Sequence, residues 1–144
     1  MSPVVAEASE DAEVALECYG RNLGIAFQLS DDVIDYASDA ETMGKGVGDD
    51  FRDGKMTLPV ILAYARGSES DRAFWRSAIG GERVSDDDLA CAIALLKSTD
   101  ALADTVERAR QYGRRAVDAL AMFPASKAKA ALVEAAEFAV ARAY

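Results

Sequence analysis

The chain has 144 residues, 51% of them hydrophobic, enough for one domain with a buried core and too apolar for a disordered segment. A formal net charge of −9 argues against wrapping nucleic acid or gripping anionic lipid, and the absence of histidine excludes imidazole catalysis and His-ligated metals. With no run of ~20 apolar residues to span a bilayer and no charged segment leading into an apolar run at the start, a soluble, cytoplasmic protein is expected.

Taken in chain order, the pattern predicts an all-α chain of six helices and a single domain over residues 1–144. Ser9 precedes Glu10, Asp11 and Glu13 and is placed as the cap of a first helix. Leu16, Tyr19, Leu23, Phe27 and Ile34 carry its helical period to about Tyr36. Residues 38–56 read as a loop rich in glycine and charge. A second helix opens at Thr57-Leu58-Pro59, with proline in the first turn, and stops at Gly67. A short helix starts at Ser70, passes Phe74 and Trp75, and ends at Gly80-Gly81. Ser85 and Asp88 form a capping-box variant for a fourth helix bearing Leu89, Ile93 and Leu96. Thr99 or Asp100 caps a fifth that runs to Phe123 before Pro124, and Ser126 begins the last. Cys18 and Cys91 fall in apolar helical segments and are expected as buried thiols rather than a disulfide.

The most informative stretch is residues 27–35. At about 100° per residue, Gln28, Asp31, Asp32 and Asp35 share one helix face, with Gly24 a turn earlier leaving room on it. Three carboxylates so close repel one another. A solvated acidic face would more naturally use glutamate, the better helix former. Ile25, Leu29 and Tyr36 on one side, and Phe27 and Ile34 on the other, place the aspartates in a cleft. By contrast, Asp86, Asp87 and Asp88 are consecutive in a first turn, where capping and the helix dipole account for them.

An oxygen-only face suits Mg²⁺ or Ca²⁺ and disfavours zinc, and its regular helix differs from a calcium-binding EF-hand loop. Mg²⁺ usually keeps one or two protein carboxylates and completes its shell with water and phosphate oxygens. Lys45, between Gly44 and Gly46, and Lys55, after Gly54, follow at once, and lysine offers a compact charge to phosphate. The combination predicts a magnesium-bridged diphosphate. A Walker A loop fails here, because five residues separate Gly48 from Gly54 where four are needed, and Met56 stands where Ser or Thr is required.

Gly20 to Tyr36 (GRNLGIAFQLSDDVIDY) resembles the second aspartate-rich motif of trans-polyprenyl diphosphate synthases, and Gly44 to Pro59 (GKGVGDDFRDGKMTLP) the motif that follows it, in the same order and spacing. The ending, Phe123 to Tyr144, is similar to long-chain members that make quinone side chains. The resemblance implies the C-terminal portion of an isoprenoid-synthase helical fold. It also implies a prenyltransferase that condenses isopentenyl diphosphate with an allylic diphosphate. It implies that Asp31, Asp32 and Asp35 bind Mg²⁺, that Lys45 and Lys55 contact the allylic diphosphate, that Gln28 lines the site and that Phe27 lies near the carbocation. No second aspartate-rich motif fits the family's first, facing one. The chain is therefore expected to be a fragment with half an active site, inactive alone and associating as a homo-oligomer through uncovered apolar faces. The alternative is a non-catalytic helical partner of a complete synthase subunit.

Overall fold

The computed structural model describes residues 3–37, 48–80 and 85–142, with the backbone alone at 3–9 and 37. Seven helices, and no strand, occur among them: α1 (Pro3–Ala37), α2 (Asp49–Arg52), α3 (Leu58–Arg66), α4 (Glu69–Gly80), α5 (Asp86–Ser98), α6 (Ala101–Asp118) and α7 (Lys127–Ala141). None is long and apolar enough to cross a membrane. The chain divides into two compact units, residues 1–30 with 108–144, and residues 31–107, so α1 and α6 each contribute to both.

The expected helix starts hold where a side chain accepts the exposed amides. Ser85 and Asp88 exchange bonds of 3.0 and 3.1 Å, a complete capping box for α5. Ser126 accepts the Lys129 N–H at 3.0 Å, and Pro59 lies in the first turn of α3, which ends at Gly67. Four expectations are corrected. α1 begins at Pro3, so Ser9 is inside it rather than its cap. α4 begins at Glu69, because Ser68, not Ser70, trades bonds of 3.0 and 3.2 Å with Asp71. α6 stops at Asp118 and the chain turns before Phe123. The seventh helix, α2, lies inside the segment read as loop.

In the 31–107 unit, Phe51, Phe74 and Trp75 pack with ring centroids 5.4–6.4 Å apart, and Phe51 and Trp75 are buried. Edge-to-face contacts of this kind add to area burial. α3 ends against its neighbours through arginines: Arg72 donates to the carbonyls of Tyr64 and Ala65, and Arg66 pairs with Asp104 and donates to the Thr99 carbonyl at 3.0 Å. In the other unit, buried Tyr19, Ala116, Leu120 and Ala136 make the core, and the Tyr19 hydroxyl donates to the Leu132 carbonyl at 2.7 Å.

Gly48 precedes α2 with φ +77°, and a Cβ there would lie 2.5 Å from Leu89 Cδ1. The positive φ strains any side chain there, and the Leu89 methyls would have to shift to admit one. Gly48→Ala is expected to lower stability by at least about 1 kcal/mol, and Ser85→Ala by about 1 kcal/mol. Urea unfolding followed by circular dichroism measures both.

Candidate functional site

The aspartates enter the site from α1, with Asp31 and Asp32 in one turn and Asp35 in the next. They are not equally presented. Asp32 is 6% exposed, while Asp31 and Asp35 are half-buried. Of the apolar flanks within this unit, Tyr36 is buried and Ile34 half-buried. The acidic stretch therefore sits partly inside the protein rather than on an open face.

Asp35 reaches the next segment twice. Its carbonyl accepts the Gly48 N–H at 2.8 Å, and its carboxylate accepts the Asp50 N–H at 3.1 Å, at the start of α2. The Asp50 carboxylate in turn pairs with Lys55 Nζ at 3.4 Å, and the Asp50 carbonyl accepts the Lys55 N–H at 2.9 Å. One linked chain of contacts thus joins Asp35, Asp50 and Lys55. The Lys55 side chain remains 61% exposed, leaving its ammonium accessible to a ligand. Lys45 lies outside the described residues.

Burial pushes the Asp35 carboxyl up to about 6, against the opposing pull of the Asp50 N–H; the charges of Asp50 and Asp49 push it the same way as burial. Burial also raises the neighbouring Tyr36 phenol, with the carboxylates of Asp35 and Asp50 adding to the effect. Asp50 is the residue that the sequence left as one letter of a motif. The available signal was an aspartate pair directly after a glycine, where backbone N–H groups turn toward an acceptor.

Phe27 and Gln28 precede the aspartates on α1 and belong to the other unit, where both are exposed. The Arg142 guanidinium lies 3.9 Å from the Phe27 ring centroid and donates to the Phe27 carbonyl at 3.1 Å. This cation–π contact has no sequence signature, since 115 residues separate the partners. Gly24 is open, with nothing within 4 Å of where a Cβ would stand. Cys18 and Cys91 are free and exposed, correcting the expectation of buried thiols.

The donor atoms of Asp31, Asp32 and Asp35 are all oxygen, which fits a hard divalent cation. Among the described residues no group of three or more His, Cys, Asp or Glu side chains is gathered to hold a metal ion by itself.

Residues 1–96 match the family model described as polyprenyl synthetase. The octaprenyl diphosphate synthase of Haemophilus influenzae is 41% identical over 143 residues, covering 98% of this chain and 43% of that protein. The polyprenyl synthase of Caulobacter crescentus CB15, solved in complex with calcium and isoprenyl diphosphate, superposes with a TM-score of 0.84 at 46% identity, covering 93% of this chain and 41% of that one. A polyprenyl synthase from Roseobacter denitrificans gives 0.85 at 44% identity, covering 96% and 45%. The chain spans less than half the length of these relatives.

The raised Asp35 value has a signed consequence. A carboxyl whose folded pKa exceeds its unfolded value of 3.8 favours the fold fully below that value and loses the contribution as pH rises through about 6. Asp35→Asn keeps an oxygen for the Asp50 N–H and removes the titration. The stability difference, variant minus wild type, is expected to rise between pH 4 and pH 6 and to level off above, read by thermal unfolding across that range.

Proposed function

The chain belongs to the polyprenyl synthetase family, and from that premise we propose that it supplies the second half of a prenyltransferase site that joins isopentenyl diphosphate to an allylic diphosphate. One observation carries the reading. The acidic stretch and the lysine segment are physically coupled, through Asp35, Asp50 and Lys55, as a site for a cation and a diphosphate together requires.

In this reading Asp31, Asp32 and Asp35 would hold Mg²⁺, Asp31 as a direct ligand. Bound there, the ion stabilises the negative charge that grows on the departing diphosphate. Lys55, steadied by Asp50, places its ammonium against diphosphate oxygens, and Lys45 does the same from the preceding loop. Gln28 lines the substrate site with its amide. The Phe27 ring offers its π face to the allylic cation. The allylic C–O bond breaks with both electrons passing to diphosphate. The isopentenyl double bond attacks the cationic carbon, and a proton leaves to form the new alkene. The similar ending, Phe123 to Tyr144, favours a long-chain product, and a cytoplasmic site of action fits soluble diphosphate substrates. Exposed Val14, Leu16, Ile61 and Phe138 favour association into a homo-oligomer.

Two measurements test this. The 144-residue chain alone is expected to form no product from labelled isopentenyl diphosphate and an allylic primer. A chimera in which it replaces the matching portion of the Caulobacter crescentus enzyme is expected to condense them, and Asp31→Ala in that chimera to cut kcat by about a hundredfold or more. A folded chimera without activity, or one indifferent to Asp31→Ala, overturns the reading. Light scattering of the chain is expected to give a dimer or larger species; a clean monomer contradicts the association.

A further inference from the structure

The acidic helix and the lysine segment meet a second time, at a pair of hydroxyls that the proposed diphosphate site does not use. Tyr36 follows Asp35 on α1 and is 2% exposed. Thr57 lies just beyond Lys55 and Met56 and is the N-cap of α3. Both belong to the 31–107 unit.

Thr57 has the backbone of a helix cap, φ −88° and ψ 165°, yet its side chain makes no capping bond. A cap threonine ordinarily accepts an N–H from the second or third helical residue. Here the second is Pro59, which has none. The Thr57 hydroxyl is buried instead, as is that of Tyr36, and neither is bonded to another group among the described residues. Such hydroxyls carry a free-energy cost until they find a partner. The two are neighbours: burial and the carboxylates of Asp35, Asp50 and Asp32 push the Tyr36 phenol up, and the Thr57 hydroxyl pulls it back. Each hydroxyl both donates and accepts, and its hydrogen turns to suit. A small rotation of either side chain is enough to bond them.

The lysine segment draws little position from its own packing. The Lys55 side chain is 61% exposed and Met56 54% exposed. Upstream, Asp50 is held by Asp35 and in turn holds Lys55. Downstream, the next buried polar group is the Thr57 hydroxyl. A single hold lets a segment swing about it, and a second on the far side fixes its course. We propose that Tyr36 is a positioning residue for Lys55, acting through the Thr57 hydroxyl to tie the downstream side of the lysine segment to the acidic helix. The tie stands whatever the ligand; its effect on diphosphate binding rests on the reading proposed above.

Urea unfolding of the 144-residue chain tests the tie. Tyr36→Phe and Thr57→Val are each expected to lower the midpoint, and the double variant to fall no lower than the less stable single one. Additive losses overturn the pair. Positioning is read at Lys55 by NMR after reductive ¹³C-methylation of the lysines, its signal assigned by loss in Lys55→Arg. That signal is expected to shift in Tyr36→Phe and Thr57→Val and to stay in place in Thr57→Ser, which keeps the hydroxyl. The Lys127 and Lys129 signals are expected to stay in place in all three. Circular dichroism establishes that each variant is folded. A Lys55 signal unmoved by Tyr36→Phe overturns the proposal. Calorimetric titration with Mg²⁺ and inorganic pyrophosphate is expected to show about fivefold or greater weakening in Tyr36→Phe, with Thr57→Ser close to wild type. Binding by the wild type that Tyr36→Phe leaves unchanged also overturns the proposal. A wild type that binds no pyrophosphate, with the Lys55 signal moving as expected, supports the tie and overturns the diphosphate reading alone.

Discussion

Asp35 uses its backbone and its side chain at once, and the geometry of the candidate site follows from that double use. Its carbonyl holds the Gly48 N–H and its carboxylate the Asp50 N–H. The chain that leaves α1 at Ala37 is thereby returned to the same helix at residue 48. Lys55 is then located by Asp50 rather than by its own packing. The pair of bonds ties the start of α2, which Phe51 also anchors in the aromatic cluster, to the acidic helix.

This arrangement divides labour among the aspartates in a way that a helical wheel conceals. Projected on a wheel, Asp31, Asp32 and Asp35 are three equivalent carboxylates. In the fold Asp32 is nearly covered, Asp31 half-covered, and Asp35 already accepts a protein N–H. A carboxylate has several lone pairs, so accepting one amide leaves Asp35 able to accept more. Burial raises its pKa to about 6, and a positive charge placed beside it would pull that value back down.

The sequence was legible where a local rule has one dominant solution. Serine three residues before aspartate, ahead of an apolar period, could only be the capping box at Ser85, and proline after Thr57-Leu58 could only start a helix. Legibility failed where two solutions compete locally or where distant packing decides. Ser68 and Ser70 offer the same cap, and Asp71, spaced correctly for one of them, settles it. α2 has four residues, too few to show a period, between glycines at φ +77° and +74°. Cys18 and Cys91 have apolar sequence neighbours, but neighbours in sequence point to other sides of a helix. Asp50 and Arg142 act through contacts that no spacing rule encodes.

The two thiols fall one to each compact unit, Cys18 in the first and Cys91 in the second, and both are open to reagents. No other cysteine competes for a label. The molecule thus carries a natural pair of attachment points for a donor and an acceptor dye, through which any movement between its halves becomes an optical signal without a single substitution.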